Sequence, residues 1–299
     1  MVEERPRVGV LGATSLVGRH VSSRLVQMGY NVSAFSRQAD VPSTDGVEWV
    51  RLDAPGEELR TTTSGSDSHR SQTIELWICV MSLWLLPEHL PLLEARGARR
   101  IVALSSTSRF TKTDSADHEE RETASRLADM EALVADWARA RDVEWIVLRP
   151  TLIYGLEEDK NIAVMTRFIR RFGFFPVLGE ARGLRQPIHA DDVAAACVSA
   201  LSTTAIKDRA YNLSGGETLT YREMVARLFT SMGKPARIIS VPLWAFRLGV
   251  MLAHLIPRYR HWSPAMATRM NSDLVFDHAE ARDDFGFAPR PFQLDPPRT

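Results

Sequence analysis

The chain has 299 residues, 44% of them hydrophobic and 25% charged, with 37 basic side chains against 37 acidic ones. That length suits one large α/β domain, or such a domain with a smaller lobe, and a core that needs no disulfide staples. The balanced charge argues against a nucleic-acid partner, and the two isolated cysteines, Cys79 and Cys197, fit a reducing, cytoplasmic setting.

In chain order, Met1–Arg7 lacks the apolar run of a signal peptide. Val8, Val10 and Leu11 read as a short buried strand, and Leu16, Val17 and Val21 open a helical pattern running to about Met28. Between them lies Gly12-x-x-Ser15-x-x-Gly18. A glycine turn between strand and helix aims unpaired amides at one spot, where a diphosphate can sit. Gly12, Thr14, Ser15, Leu16, Val17 and Gly18 are therefore candidate cofactor contacts, with Gly18 letting the helix approach the strand closely. Ser15 stands where such loops carry their middle glycine, and its hydroxyl could itself bond a phosphate oxygen.

Asn31–Phe35 is the expected second strand, followed by Ser36 and Arg37. An acid leaving this strand would bond the ribose of NAD, whereas an arginine accommodates the extra phosphate of NADP. Ser36 and Arg37 point to NADP, with NAD as second choice. Val47–Asp53 reads as a third strand, and Asp53 could accept from an adenine amino group or cap the next turn. Residues 54–73 lack helical periodicity and are expected to form a poorly ordered loop.

Ile74–Val80 is a strong apolar strand, followed by a turn and a short helix near Glu88–Arg96. Arg100–Leu104 is the next strand, ending in the hydroxyl cluster Ser105-Ser106-Thr107-Ser108. Open α/β sheets bind ligands at the C-terminal edge of their strands, which makes this cluster a candidate catalytic position. Arg121–Arg139 forms a helix with Leu127, Met130, Leu133, Val134 and Trp137 on one face, and Val143–Leu148 a strand leading to Arg149-Pro150. Strands alternating with helices predict an α/β fold with a doubly wound parallel sheet.

Beyond residue 150, Arg167–Phe175 interleaves arginines with aromatics and reads as a helix with a solvated basic face. Asp191 or Asp192 is the expected cap of one helix, and Thr220 of another over Tyr221–Met232. Tyr211–Leu213 resembles a further sheet strand. Leu243–Ile256 is almost wholly apolar, with Arg247 and His254 on one stripe. It is too short and too charged to span a bilayer, and no run of about 18 uncharged apolar residues exists elsewhere. It reads as a pocket wall, a homodimer seam or a peripheral membrane contact.

Taken jointly, Gly12-Ala-Thr-Ser-Leu-Val-Gly18, Leu104-Ser-Ser-Thr107, Leu148-Arg-Pro-Thr-Leu-Ile-Tyr-Gly155, Gln186-Pro-Ile-His-Ala-Asp-Asp-Val-Ala194 and Tyr211-Asn-Leu-Ser-Gly-Gly216 give the chain its resemblance. It resembles an extended short-chain dehydrogenase/reductase of the epimerase/dehydratase type. The resemblance implies a Rossmann domain over 1–150 plus about 187–216. A substrate-binding lobe would come from about 151–186 and 217–299, with Pro150, Thr151 and Ile153 near the nicotinamide. It also implies a tyrosine and, four residues on, a lysine that lowers the phenol's pKa so that it can pass a proton. No such pair exists: Tyr30, Tyr154, Tyr211, Tyr221 and Tyr259 are followed at that spacing by Ala34, Glu158, Gly215, Val225 and Ser263.

Ser125-Arg126 matches the family's Ser-Lys step, which puts Glu122 in the tyrosine's place. The candidate catalytic residues are therefore Thr107, Glu122 and Arg126, with no metal. Three functions remain open. The first is an NADP-binding oxidoreductase or epimerase acting on a small molecule with a substitute acid. The second is a non-catalytic dinucleotide-binding accessory protein, membrane- or quinone-adjacent. The third is a nucleotide-sugar enzyme with Arg182 or Arg185 on the diphosphate.

Overall fold

The computed structural model describes residues 6–38, 41, 44–52, 73–113, 115, 117–155, 159, 161–242 and 269–294. Strand β1 (Arg7–Leu11) leads through Gly12 into α1 (Leu16–Gln27), then β2 (Asn31–Ser36), β3 (Val47–Arg51) and β4 (Leu76–Cys79). A 3-10 turn over Leu83–His89 precedes α2 (Leu90–Ala95), and β5 (Arg100–Leu104) follows. The one-turn α3 (Ser108–Thr111), the long α4 (His118–Arg139) and β6 (Glu144–Pro150) complete the first half. Asp53, the 54–72 stretch and the apolar Leu243–Ile256 segment lie outside the described residues.

The second half contributes β7 (Ile153–Tyr154), α5 (Ile162–Phe172), β8 (Phe175–Leu178), β9 (Leu184–Arg185), β10 (Ile188–His189) and α6 (Ala190–Ser202). After them come β11 (Arg209–Leu213), β12 (Leu219–Thr220), α7 (Tyr221–Ser231), β13 (Ile238–Val241) and α8 (Ala279–Phe285). Seven strands make one sheet in the order β3-β2-β1-β4-β5-β6-β11. Every pairing in it is parallel. This is the expected doubly wound α/β sheet, and its order reverses between β1 and β4.

The strands are apolar throughout because both faces are covered. Successive side chains alternate: Val8, Val10 and Ile78 join one buried cluster with Val21, Val193 and Cys197 of α1 and α6. Leu11, Trp77 and Ile101 join the opposite one, with Leu86, Leu93, Val134 and Ala138. A third cluster, built from Tyr154, Met165, Ile169, Val177, Leu228, Phe229 and Phe292, holds α5, α7 and β8 together. In α5 the apolar face is buried while Arg167 and Arg171 are exposed, so the basic face is solvated as its period implies.

Two helix starts deserve comparison. Thr220 caps α7 as expected and forms a full capping box with Glu223. The cap of α6 is neither Asp191 nor Asp192 but His189, whose Nδ1 accepts the Asp191 amide at 3.1 Å. The two aspartates are used laterally instead. Asp191 takes a bidentate pair from Arg24 of α1 and another contact from Arg290, and Asp192 bonds the Arg290 amide and guanidinium. This clasp ties the C-terminal segment to α1 and α6.

Burial pushes the Asp191 carboxyl upward, but the guanidiniums of Arg24 and Arg290 outweigh it and hold the pKa at about 2. A carboxylate depressed on folding stabilises the fold fully above its unfolded value near 4, and loses that contribution as pH falls through about 2. Asp191→Asn is therefore expected to cost about 1–2 kcal/mol in urea unfolding at pH 7. The difference should shrink toward zero as the pH is lowered from 4 to 2; a pH-independent difference would sink the assignment.

Candidate functional site

The C-terminal ends of β1, β4, β5 and β6 open onto a cleft of about 740 Å³ that runs across the sheet's reversal point. One end is walled by Ser15, Leu16, Val17, Val80, Met81 and Ser82; the far end by Arg185, Arg269, Leu274 and Phe276. Thr107, Pro150, Thr151 and Ile153 line the middle.

The glycine turn is built for close approach. Gly12 has φ +82°, and a Cβ there would lie 2.7 Å from the Met81 amide nitrogen. At Gly18 a Cβ would lie 2.2 Å from the Gly12 carbonyl oxygen, so α1 can start this close to the turn only with glycine. Ser15 is extended (φ −68°, ψ 163°) and acts as the N-cap, its Oγ accepting the Gly18 amide at 3.1 Å and lying 3.3 Å from the Val80 carbonyl oxygen. The serine thus folds back onto its own helix instead of standing over the turn. Leu16 and Val17 present the first-turn amides at the cleft, and no acidic residue occupies that turn to repel a phosphate. Thr14 is half-buried but is not part of the cleft wall.

At the end of β2, Ser36 is buried and its Oγ accepts the Gln38 amide, while Arg37 is exposed. No carboxylate pairs with Arg37 among the described residues.

The hydroxyl cluster sits where the sheet edge meets the cleft. Thr107 is buried, and both its amide and its Oγ1 donate to the Pro150 carbonyl, at 3.1 and 3.2 Å. Thr151 Oγ1 donates to the Gln186 carbonyl. Behind the cluster, Glu131 of α4 is only 5% exposed. Its carboxylate accepts from Ser105, from Arg109 and from Arg149. The two guanidiniums also lie over the Phe110 ring, at 5.6 and 5.2 Å from its centroid.

Glu122 and Arg126 do not meet the cleft. The Glu122 side chain is 68% exposed and pairs with His118 at 3.3 Å, and the Arg126 guanidinium lies over the Trp84 ring. The residues of α4 that face the cavity are Thr123 and Leu127, one position further along. A one-residue slip turns a helical side chain by about 100°, which is enough to move it from solvent to cavity. No phenol lines the cleft among the described residues. Tyr154 is buried with its hydroxyl accepting the Gln293 amide, and Tyr221 packs against Arg185.

Of the two candidate diphosphate ligands, Arg182 is exposed beside Glu180. Arg185 is in the wall, but its guanidinium already donates to the carbonyls of Leu184, Ser272 and Arg269. Residues missed by the sequence reading are Lys112, Thr123, Glu131 and Arg269. Only Glu131, an acid in the apolar stripe of α4, carried a detectable signal.

The seven-stranded parallel sheet, with its cleft at the reversal of strand order, is a Rossmann-type α/β fold. Residues 90–214 match the model of the NAD dependent epimerase/dehydratase family. An uncharacterised protein of Sinorhizobium fredii is 24% identical over 203 residues, covering 66% of this chain and 50% of that protein. Subunit 9 of the NADH dehydrogenase [ubiquinone] 1 alpha subcomplex from Arabidopsis thaliana is 28% identical over 33% of this chain and 25% of its own length. The chain thus spans about half, or less, of these relatives.

Among solved structures, an epimerase from Methanothermobacter thermautotrophicus superposes with a TM-score of 0.71 at 14% identity, over 96% of this chain and 88% of its own. MoeE5 in complex with UDP-glucuronic acid and NAD superposes with a TM-score of 0.66 at 20% identity, covering 96% and 94%. At such identities the likeness is one of fold. No helix among the described residues is long and apolar enough to cross a membrane.

Proposed function

We propose that the chain binds NAD(P)(H) across the β1–β4 switch point, with NADP preferred, and performs altered hydride chemistry on a small carbonyl compound. The observation that carries this reading is the turn itself. Gly12 and Gly18 bring the Leu16 and Val17 amides to the cleft, and Ser15 caps the helix without obstructing it. Those amides would hold the diphosphate, Pro150, Thr151 and Ile153 would flank the nicotinamide, and the Thr107 hydroxyl would turn from the Pro150 carbonyl to donate to the substrate oxygen. The bound nucleotide supplies or accepts a hydride. The chain's own contribution is to orient the substrate against Thr107 and to keep water from the apolar wall made by Leu127, Leu274 and Phe276.

NADP is favoured because Arg37 leaves β2 exposed and without a described carboxylate partner, where an acid would repel the extra phosphate. Thermal unfolding with NAD, NADP and their reduced forms tests the whole reading. NADP(H) should raise the midpoint by several degrees, as binding at 100 times Kd adds about 2.7 kcal/mol. Arg37→Glu should reverse the order, lowering NADP(H) affinity at least about tenfold through loss of a phosphate pair. No response to any of the four nucleotides would overturn the assignment.

A second reading rests on the missing phenol: nucleotide binding without turnover, in an accessory role of the kind borne by the NADH dehydrogenase subunit from Arabidopsis thaliana. It predicts the same stabilisation with no oxidation of NADPH by any carbonyl compound.

A further inference from the structure

We propose that Lys112 is a catalytic residue of this cleft, the general acid that protonates the carbonyl oxygen of the substrate. The inference rests on the reading above that the cleft holds NAD(P)(H).

Four titratable side chains line the cleft among the described residues: Lys112, Asp159, Arg185 and Arg269. A guanidinium does not act as a proton relay, which leaves out both arginines. Asp159 is buried, and its carboxylate is spent on the amides of Asn161 and Ala163 at the start of α5. The hydroxyls of the Ser105–Ser108 cluster and of Thr123 can bond an oxygen but are far too weakly acidic to yield a proton near neutrality. One group remains.

Lys112 closes α3, the single turn that begins just after Thr107, so the chain itself keeps the amine near the hydroxyl cluster. The charges facing it are Glu120 and Asp117 from the start of α4, and Arg269, which pairs with Glu120. Glu120 is buried and already engaged, by Arg269 at 2.7 Å and by the Ser115 hydroxyl at 2.7 Å. No described carboxylate therefore holds the Lys112 ammonium in an ion pair of its own. Half-burial lowers its pKa; Glu120 opposes this, Arg269 adds to it, and Asp117 opposes it. A desolvated ammonium is a stronger acid than an exposed one and is better matched to proton transfer near neutral pH.

The balance is simple. NAD(P)H, when bound, would supply the hydride, and with it both electrons, for the carbonyl carbon. As the carbonyl π pair moves onto oxygen, an N–H bond of Lys112 breaks and the alcohol O–H bond forms. The neutral amine then recovers its proton from water. In the oxidative direction the amine takes the hydroxyl proton.

The first test needs no substrate. Reductive methylation with formaldehyde and a borane, followed residue by residue by mass spectrometry from pH 6 to 10, should modify Lys112 at lower pH than exposed Lys207. NADPH should protect Lys112 several-fold. The second uses phenanthrenequinone as a carbonyl probe. The wild-type rate should fall as pH rises through the Lys112 labelling midpoint, because the acid form is the active one. Lys112→Arg and Lys112→Met should retain NADPH binding by fluorescence yet lose at least about a hundredfold in kcat. Added ethylamine should partly restore Lys112→Ala.

Absence of NADPH binding overturns the nucleotide reading. Intact NADPH binding with Lys112 labelled like Lys207, with no wild-type turnover, or with unchanged turnover in Lys112→Arg overturns the assignment of Lys112 alone.

Discussion

Gly18→Ala is expected to destabilise the fold by about 2–4 kcal/mol and to remove the thermal response to NADP(H). The added methyl has nowhere to go. It would fall 2.2 Å from the Gly12 carbonyl oxygen and within 3 Å of the Ala13 backbone, none of which is the flexible end of a side chain. Relief requires α1 to move away from the turn, and that movement withdraws the Leu16 and Val17 amides from the place where they converge. Stability and binding should therefore fall together. Gly29→Ala is the control: its φ is +84°, but nothing lies within 4 Å of the new Cβ, so its cost is confined to backbone strain of about 1 kcal/mol and binding survives. Urea unfolding with and without NADPH measures both. A Gly18→Ala protein as stable as Gly29→Ala would show that the turn is looser than its geometry indicates.

The same turn shows what a sequence exposes. Strand–glycine–helix is local in the chain, and the parallel sheet around it leaves long apolar runs, so β5 falls over the same residues, Arg100–Leu104, in both readings. Thr220 announces itself as a cap because its partner Glu223 is three residues away. The cap of α6 was hidden because the side chain that performs it, His189, is an unusual one, while two aspartates that look like caps are pulled sideways by Arg24 and Arg290 from distant parts of the chain. In α4 the difficulty is angular. Ser125-Arg126 looks like the family's Ser-Lys step, but burial of Ala124, Leu127, Glu131 and Val134 sets the helix so that Thr123 and Leu127 meet the cavity instead. The glycine-turn end of the cleft was legible; the far end was not, because Lys112, Thr123 and Arg269 meet only through tertiary packing.

Glu131 is where that packing is most exposed to a single change. Its carboxylate sits 5% exposed between Arg109 and Arg149 and also accepts from Ser105, so one acid joins β5, α3, α4 and β6 behind the hydroxyl cluster. Replacing it by alanine leaves two guanidiniums facing each other in a poorly solvated space, the arrangement for which loss of one partner costs about 3–5 kcal/mol. Glu131→Gln keeps the shape and one acceptor oxygen, so it should cost distinctly less, about 2–3 kcal/mol, through loss of the charge-assisted bonds. The consequence for the site follows from connectivity. Phe110 is stacked by both arginines and packs against Phe276, which lines the cleft, and the Ser105–Lys112 segment is anchored through Ser105 and Arg109. Releasing it should loosen Thr107 and Lys112 without touching the Leu16 and Val17 amides. Glu131→Gln is thus expected to bind NADPH nearly as tightly as the wild type while the pH midpoint for Lys112 methylation moves toward that of Lys207. Equal loss of nucleotide binding and of the Lys112 shift would instead mean that Glu131 supports the sheet as a whole.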